Sequence, residues 1–106
     1  MNRGDVYWVR FPNTSGAEIQ KTRPAVIVTA AKVLERHNRV QVVPLTSNVS
    51  RLYPGEAFVA AGGRPSKALG TQVTTVDKLR LLGYFDALTP SDLAAVEGAL
   101  REQLAL

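Results

Sequence analysis

Short runs of β-branched and aromatic residues, separated by polar turns, restrict this chain to a mainly β fold. The separating stretches are rich in Pro, Gly, Asn and Ser, which favour turns and loops over helix. The run at 24–29 (PAVIVT) is apolar on both faces and therefore predicts a central strand. Six strands are predicted, at residues 5–11, 24–29, 40–46, 57–60, 68–76 and 81–85.

Two segments predict helix. Residues 30–38 (AAKVLERHN) contain strong helix formers and predict a short internal helix. Further on, Thr89 is a good N-cap, Pro90 suits the first helical position, and Asp92 stands where a capping box needs an acid. An apolar stripe follows at helical spacing, for core packing or a dimer contact: Leu93, Val96, Leu100 and Leu104. Together these elements predict a small, strongly bent antiparallel sheet or partly open barrel, covered on one side by the terminal helix.

The composition excludes several kinds of site. A chain of 106 residues, 45% hydrophobic and 21% charged, fits one globular domain over 1–106. It has no cysteine, which excludes disulfides and Cys-ligated zinc, and its one histidine, His37, excludes a two-histidine acid–base pair. We expect no metal and no cofactor. The absence of a long apolar run or a signal peptide predicts a cytoplasmic protein without a membrane role.

The positive charge is concentrated in the first three quarters of the chain. The net charge is +4, but residues 1–76 hold ten Lys and Arg against four Asp and Glu, a balance of +6. Residues 77–106 hold three against five, a balance of −2. Clustered cations favour a polyanionic partner, because phosphate contacts gain from them. From charge alone, a basic surface with no nucleic-acid role fits equally well.

Arg23 and Thr46 stand at the ends of two apolar strands. Pro24 biases Arg23 towards extended geometry, which fixes the direction of its guanidinium. Thr46 ends the strand VVPL and begins the polar loop SNVSR. If the two strands pair, their polar ends can meet at one rim of the sheet. A planar cation beside a hydroxyl donor suits a phosphate whose charge grows in a transition state.

Four stretches resemble the MazF/PemK family of toxin endoribonucleases. The stretch GAEIQKTRPAVIV (16–28) is similar to the family's Glu and Arg-Pro pattern ahead of an apolar strand. The stretch VVPLTSN (42–48) is similar to the family's strand that ends in Thr and a small polar residue. The resemblance extends over nearly the whole chain. The stretches are RGDVYWVRF (3–11), GAEIQKTRPAVIV (16–28), VVPLTSN (42–48) and LGTQVTTVDKLRL (69–81).

The resemblance implies a fold, an activity and partners. The fold is a small SH3-like, partly open antiparallel barrel with a short internal helix and a C-terminal helix, and it forms a homodimer. The activity is metal-independent cleavage of single-stranded RNA at short sequences, which leaves a 2′,3′-cyclic phosphate and a 5′-hydroxyl. A cognate antitoxin inhibits it with an acidic, partly disordered segment. The resemblance makes Arg23 and Thr46 catalytic, and the substrate-binding candidates are Glu18, Gln20, Lys21, Ser47, Asn48, Arg51, Tyr53 and Gln72.

Two positions depart from the family pattern. Ala17 and Thr71 stand where some members carry a histidine and an acid, so a His–Asp pair is not expected. Because a guanidinium rarely releases its proton, we expect Arg23 to stabilise charge. The 2′-hydroxyl of the RNA is then the nucleophile, and the protein orients and neutralises it. The sequence does not identify the group that transfers the proton.

Other interpretations fit the same residues. The chain could be a non-catalytic, CcdB-like module of the same fold that acts on a protein such as gyrase. It could also bind nucleic acid through its basic half without cleavage, with salt-sensitive affinity. Tyr53 is open between base stacking and packing, and Gln72 between RNA contact and packing in the barrel. Four cations are open between phosphate contact and a solvated surface role: Lys21, Arg51, Arg64 and Lys67.

Overall fold

The computed structural model describes residues 1–12 and 21–106. Within these residues seven strands form one antiparallel sheet, with two α-helices and two 3₁₀ turns, Gly70–Gln72 and Lys78–Arg80. No helix of the described residues is long and apolar enough to cross a membrane. The strands are β1 (Asp5–Arg10), β2 (Thr22–Ile27), β3 (Arg39–Thr46), β4 (Glu56–Ala61), β5 (Arg64–Leu69), β6 (Thr74–Asp77) and β7 (Leu81–Ala87), and the helices are α1 (Ala31–Leu34) and α2 (Pro90–Leu104).

Strand β3 organises the sheet because it pairs with three other strands. The order along the sheet is β4-β5-β3-β2-β1-β7, and β6 pairs with β3 outside this path. Residues 42–44 pair with β2 on one edge of β3, while residues 39–42 pair with β6 and residues 45–46 with β5 on the other. Pro44 lies where that second edge changes partner, a place where its missing N–H interrupts no continuous ladder.

The two edge strands approach each other, which curls the sheet into a partly open barrel. The amide of Gly62, in the β4–β5 turn, donates to Asp86 Oδ2 of β7 at 2.7 Å. The amide of Ala60 in β4 donates to Asp92 Oδ2 of α2 at 2.9 Å. Two carboxylates therefore accept hydrogen bonds from backbone amides of this edge, which could otherwise pair with a strand of another chain. The hydrogen bonds from Gly62 and Ala87 hold the pKa of Asp86 below its ordinary value.

Alternation along the strands sorts the buried residues into two clusters on opposite faces of the sheet. The larger cluster includes Val26 and Val43 and packs against α2 through Val96. The smaller cluster includes Ala25 of β2 and packs against α1 through Leu34. The predicted mainly β fold with a curled antiparallel sheet, a short helix and a C-terminal helix is confirmed.

Helix α2 begins at the predicted N-cap. The amide of Asp92 donates to Thr89 Oγ1 at 3.1 Å. In place of the second capping-box bond, the Asp92 carboxylate accepts from Ala60 in the neighbouring strand. Val96 is fully buried, whereas Leu104 is 53% exposed, so the last position of the predicted stripe lies outside the core.

The predicted strand over 68–76 is wrong. The chain instead forms β5, turns at Gly70–Gln72 and continues as β6. A Cβ on Gly70 would lie 2.4 Å from the carbonyl oxygen of Gly55, so only glycine allows this close approach. The polar start of β5 (RPSK) hid the strand, because it lacks the β-branched and aromatic residues that typify one.

Candidate active site

Arg23 and Thr46 lie at the same end of neighbouring strands. The β2–β3 register pairs Ala25 with Pro44, and continuing it by two residues sets Arg23 opposite Thr46. On its other side Arg23 pairs with Val9 of β1. Both polar side chains are half-buried. The strands therefore restrain these side chains, yet both still reach solvent.

Both residues belong to the face that carries the smaller apolar cluster. Arg23 alternates in phase with Ala25 along β2, and Thr46 with Val42 along β3. Helix α1 follows the far end of β2 and covers that end of the face through Leu34. Helix α2 packs on the opposite face. The Arg23–Thr46 end is thus the part of this face that neither helix covers.

The hydroxyl of Thr46 is oriented by the chain that follows it. The backbone amide of Asn48 donates to Thr46 Oγ1 at 3.2 Å. Asn48 Oδ1 in turn accepts from the amide of Ser50 at 3.2 Å and from its hydroxyl at 2.8 Å. Because the Thr46 oxygen serves as the acceptor, its proton can donate to a ligand oxygen. Among residues 1–12 and 21–106 it has no acceptor.

A tight turn ends the loop that follows β3. The amide of Glu56 donates to the carbonyl of Tyr53 at 3.1 Å, with Pro54 and Gly55 between them. Gly55 has φ +84°, which together with the preceding proline makes a type II turn. The amide of Gly55 donates to Glu102 Oε1 of α2 at 2.6 Å. This bond joins the turn to the helix.

Lys67 connects this turn to the neighbouring strand β5. Its Nζ donates to the carbonyl of Arg51 at 2.8 Å and lies 3.0 Å from Glu56 Oε1. The same Nζ lies 5.5 Å from the centre of the Tyr53 ring, and the Arg51 guanidinium carbon lies 5.9 Å from it. In the sheet, Lys67 pairs directly with Thr46. The ion pair and the hydroxyl therefore share one end of the sheet.

The carboxyl of Glu56 is held in its ionised form. Burial alone raises the pKa of Glu56, but the hydrogen bond from the Tyr53 amide and the bond and charge of Lys67 more than reverse this effect. The net result is a pKa below the ordinary value. At neutral pH Glu56 therefore compensates the charge of Lys67.

Most of the predicted substrate-binding residues that the structure describes are exposed. Lys21, Ser47, Asn48 and Arg51 are exposed, and Tyr53 is 53% exposed. Gln72 is exposed in the 3₁₀ turn between β5 and β6. Ala17, Glu18 and Gln20 lie outside the described residues.

His37 lies at the opposite end of β3 from Thr46. It lines a polar surface hollow with Asn38, Arg39 and Asp77. Among the described residues no three His, Asp or Glu side chains are grouped so as to hold a metal ion.

The pairing of Lys67 with Glu56 escaped the sequence reasoning. The sequence leaves Lys67 open between phosphate contact and a solvated surface role, but the structure buries it, at 7% exposure, among protein acceptors. The Tyr-Pro-Gly-Glu sequence at 53–56 could have indicated the turn. No pattern along the chain indicates which lysine would reach that turn, because Lys67 belongs to β5, whose polar first residues do not predict a strand.

Comparison with known proteins gives consistent results. The sequence model of the family described as PemK-like, MazF-like toxin of type II toxin-antitoxin system matches residues 2–104. Endoribonuclease MazF9 of Mycobacterium tuberculosis is 29% identical over 115 residues, which cover 100% of this chain and 98% of that protein. The crystal structure of MazF (Form-I) from Deinococcus radiodurans has a TM-score of 0.83 at 25% identity, covering 100% of this chain and 97% of that one. An endoribonuclease in complex with its cognate antitoxin from a mycobacterial species has a TM-score of 0.82 at 22% identity, covering 98% and 94%, a similarity of fold.

Proposed function

Because the chain belongs to the PemK-like, MazF-like toxin family of type II toxin–antitoxin systems, we propose that it is a sequence-specific endoribonuclease toxin that cleaves single-stranded RNA. The observation that supports this most is the position of Arg23 and Thr46, side by side at the end of one sheet face that neither α1 nor α2 covers. The relative MazF9, which aligns with the whole chain, is an endoribonuclease.

The reaction uses a nucleophile that the RNA supplies. The ribose 2′-oxygen loses its proton and bonds to the adjacent phosphorus, while the bond from phosphorus to the 5′-oxygen breaks. The leaving oxygen gains a proton, so the products carry a 2′,3′-cyclic phosphate and a 5′-hydroxyl. Arg23 stabilises the charge that grows on the non-bridging oxygens, and Thr46 donates a hydrogen bond to one of them. The protein mainly orients and neutralises, and the reaction requires no metal.

The loop after β3 supplies the contacts that choose the RNA sequence. Tyr53 exposes part of its ring, on which an unstacked base can lie. Ser47 and Asn48 are exposed beside Thr46 and can read the edges of a base. Lys21 and Arg51 are exposed cations for phosphate contacts.

The partners follow from the family and from charge. A cognate antitoxin covers the site with an acidic segment, which complements the excess of cations in residues 1–76. The mycobacterial neighbour is an endoribonuclease in complex with its cognate antitoxin. The active form is a homodimer. Co-expression with a small acidic antitoxin should give a complex in which cleavage is inhibited, and an antitoxin that binds without inhibition would contradict this placement.

The decisive test is RNA cleavage in EDTA with end mapping. Wild-type protein should cut a long RNA at a recurring short sequence, with 5′-hydroxyl ends that a kinase labels without prior phosphatase treatment. Arg23→Ala and Thr46→Val should each lose cleavage while retaining the fold. Lys32→Ala, an exposed cation on α1, is the matched control and should cut normally. Normal cleavage by both site variants would end the proposal, and intact RNA together with gyrase binding would favour the CcdB-like alternative.

A further inference from the structure

Lys67 is the only lysine or arginine that is buried in the described part of the chain, at 7% exposure. An ammonium group has three N–H donors. Here Nζ donates to the carbonyl of Arg51 and lies 3.0 Å from the carboxylate of Glu56, and its charge lies 5.5 Å from the centre of the Tyr53 ring. Because Lys67 is buried and its ammonium is bonded to protein acceptors, we expect it to act through the groups that it holds and not by direct contact with an RNA phosphate.

These groups adjoin the reactive end of β3. Lys67 pairs directly with Thr46, and paired residues on antiparallel strands have Cβ atoms roughly 5 Å apart. Its ammonium reaches from there to Arg51 and Tyr53. The Lys67 side chain thus links β5, which pairs with the Thr46 end of β3, to the loop of Arg51 and Tyr53, which would contact the next base of the RNA.

We propose that Lys67 is a positioning residue that holds Tyr53 and the 51–56 segment over the Thr46 end of the site, and thereby sets which RNA base is accepted there. This inference rests on the nuclease function proposed above. The exposed part of the Tyr53 ring is the surface on which the base stacks. The cation near the ring fixes its orientation.

The fold does not depend on this lysine alone. The turn at 53–56 has its own backbone hydrogen bond, its Pro54-Gly55 geometry and the bond from Gly55 to Glu102. Replacing a buried ion pair by apolar groups of similar volume is often neutral for stability. Loss of Lys67 alone breaks the pair, leaves the Glu56 carboxylate with the Tyr53 backbone amide as its partner, and should lower stability. The backbone bond, the Pro54-Gly55 geometry and the bond to Glu102 should still keep the turn in place while the Arg51 carbonyl and the Tyr53 ring are released.

The experiment compares Lys67→Met with Lys78→Met in the full chain. Lys78 is a matched control, because its Nζ donates to the Leu34 carbonyl at the far end of β3. Each variant is tested with short RNAs that carry the preferred cleavage site or a single-base change in it. Lys67→Met should raise KM and lower the selectivity between these RNAs roughly tenfold, as expected for a lost base stack, with kcat within about threefold. Lys78→Met should leave KM and selectivity unchanged, and Lys67→Arg should restore part of the wild-type selectivity.

A double-mutant cycle tests whether Lys67 acts through Tyr53. In a Tyr53→Leu background, Lys67→Met should have little further effect on selectivity, because the group that it positions is gone. If Lys67→Met fails to fold, the double variant Lys67→Met/Glu56→Leu replaces the ion pair by apolar groups and takes its place. The same KM and selectivity readouts then decide.

The outcomes separate the two proposals. Wild-type protein that leaves RNA intact overturns the nuclease function and this inference with it. Wild-type cleavage with unchanged KM and selectivity in Lys67→Met overturns only the positioning role. Equal losses in the presence and absence of Tyr53 also overturn it, because the lysine would then act through another group.

Discussion

The two ends of strand β3 use the same device in different surroundings. At each end a lysine donates to a backbone carbonyl of the adjoining segment: Lys78 to Leu34 at 2.5 Å, and Lys67 to Arg51 at 2.8 Å. Lys78 is half-buried and supports α1, which covers the apolar cluster. Lys67 is buried, paired with a carboxylate and surrounded by exposed polar and aromatic groups.

The two ends of β3 also differ in whether a helix covers the sheet face and in how far the polar side chains are buried. At the far end of β3, where Arg39 lies, helix α1 covers the sheet face, and the charged side chain of Arg39 is exposed. At the near end, where Thr46 lies, neither α1 nor α2 covers the face, and Arg23 and Thr46 are half-buried beside the Lys67–Glu56 ion pair. Preorganised groups beside an open surface can stabilise charge on a ligand, whereas mobile surface charges cannot.

The largest expected effect compares one arginine at each end. Arg23→Ala should lower kcat about 100-fold to 1000-fold, the usual result of removing one donor that stabilises a transition state. Arg39→Ala should leave kcat within about twofold, because its exposed guanidinium is screened by solvent. Single-turnover cleavage of a short RNA measures both. Comparable losses in the two variants would mean that general positive charge, and not geometry, drives the reaction.

The next largest effect concerns stability at the two lysines. Glu56→Ala leaves the buried Lys67 ammonium without its carboxylate and should lower the free energy of unfolding by about 1–3 kcal/mol. Lys78→Met should cost less, because Lys78 is half-buried and water can replace it at the Leu34 carbonyl. Urea denaturation measures the difference. A larger loss at Lys78 would reverse the comparison between the two ends.

Local patterns were enough to predict most of the fold. The strands with β-branched residues, the Thr89 N-cap and the terminal helix were visible because alternation and capping are short-range signals. The β5–β6 segment was not, because its turn is fixed by contact between Gly70 and Gly55, which are distant along the chain. The internal helix is shorter than predicted, since no side chain caps its N-terminus and only Leu34 is buried on it.

The candidate site shows the same limit. Arg23 and Thr46 could be named from their places at strand ends, and the register of β2 and β3 then sets them side by side. The neighbouring Lys67–Glu56 ion pair could not be predicted, because Lys67 reaches Glu56 and Arg51 only after β4, β5 and β3 have paired. Sequence reasoning thus reached the groups on strand ends and missed the ion pair that depends on tertiary structure.

A smaller effect is the pH dependence of stability at the near end. The folded-state pKa of Glu56 is lowered, so its contribution is present above the ordinary value of 4.5 and is lost as the pH falls through the folded pKa. The stability difference between wild type and Glu56→Gln should therefore be constant from pH 7 to 5 and shrink below 4.5. Asp86→Asn, whose carboxyl has an ordinary value of 3.8, should show its own decrease at lower pH. Urea denaturation at each pH checks both, and a Glu56→Gln difference that stays constant down to pH 3.5 would contradict the assignment.

The smallest effect compares two asparagines at the opposite ends of β3. The side-chain oxygen of Asn48 accepts a hydrogen bond from Ser50, and the backbone amide of Asn48 donates to Thr46, so Asn48→Ala loosens the chain that orients the Thr46 hydroxyl without removing the bond to it. A lost hydrogen bond of this kind should lower kcat about threefold. Asn38 is exposed at the far end, and Asn38→Ala should not change kcat. If the two variants cleave equally well, the backbone bond from Asn48 to Thr46 is sufficient by itself, and the loop contributes to recognition of RNA but not to the orientation of Thr46.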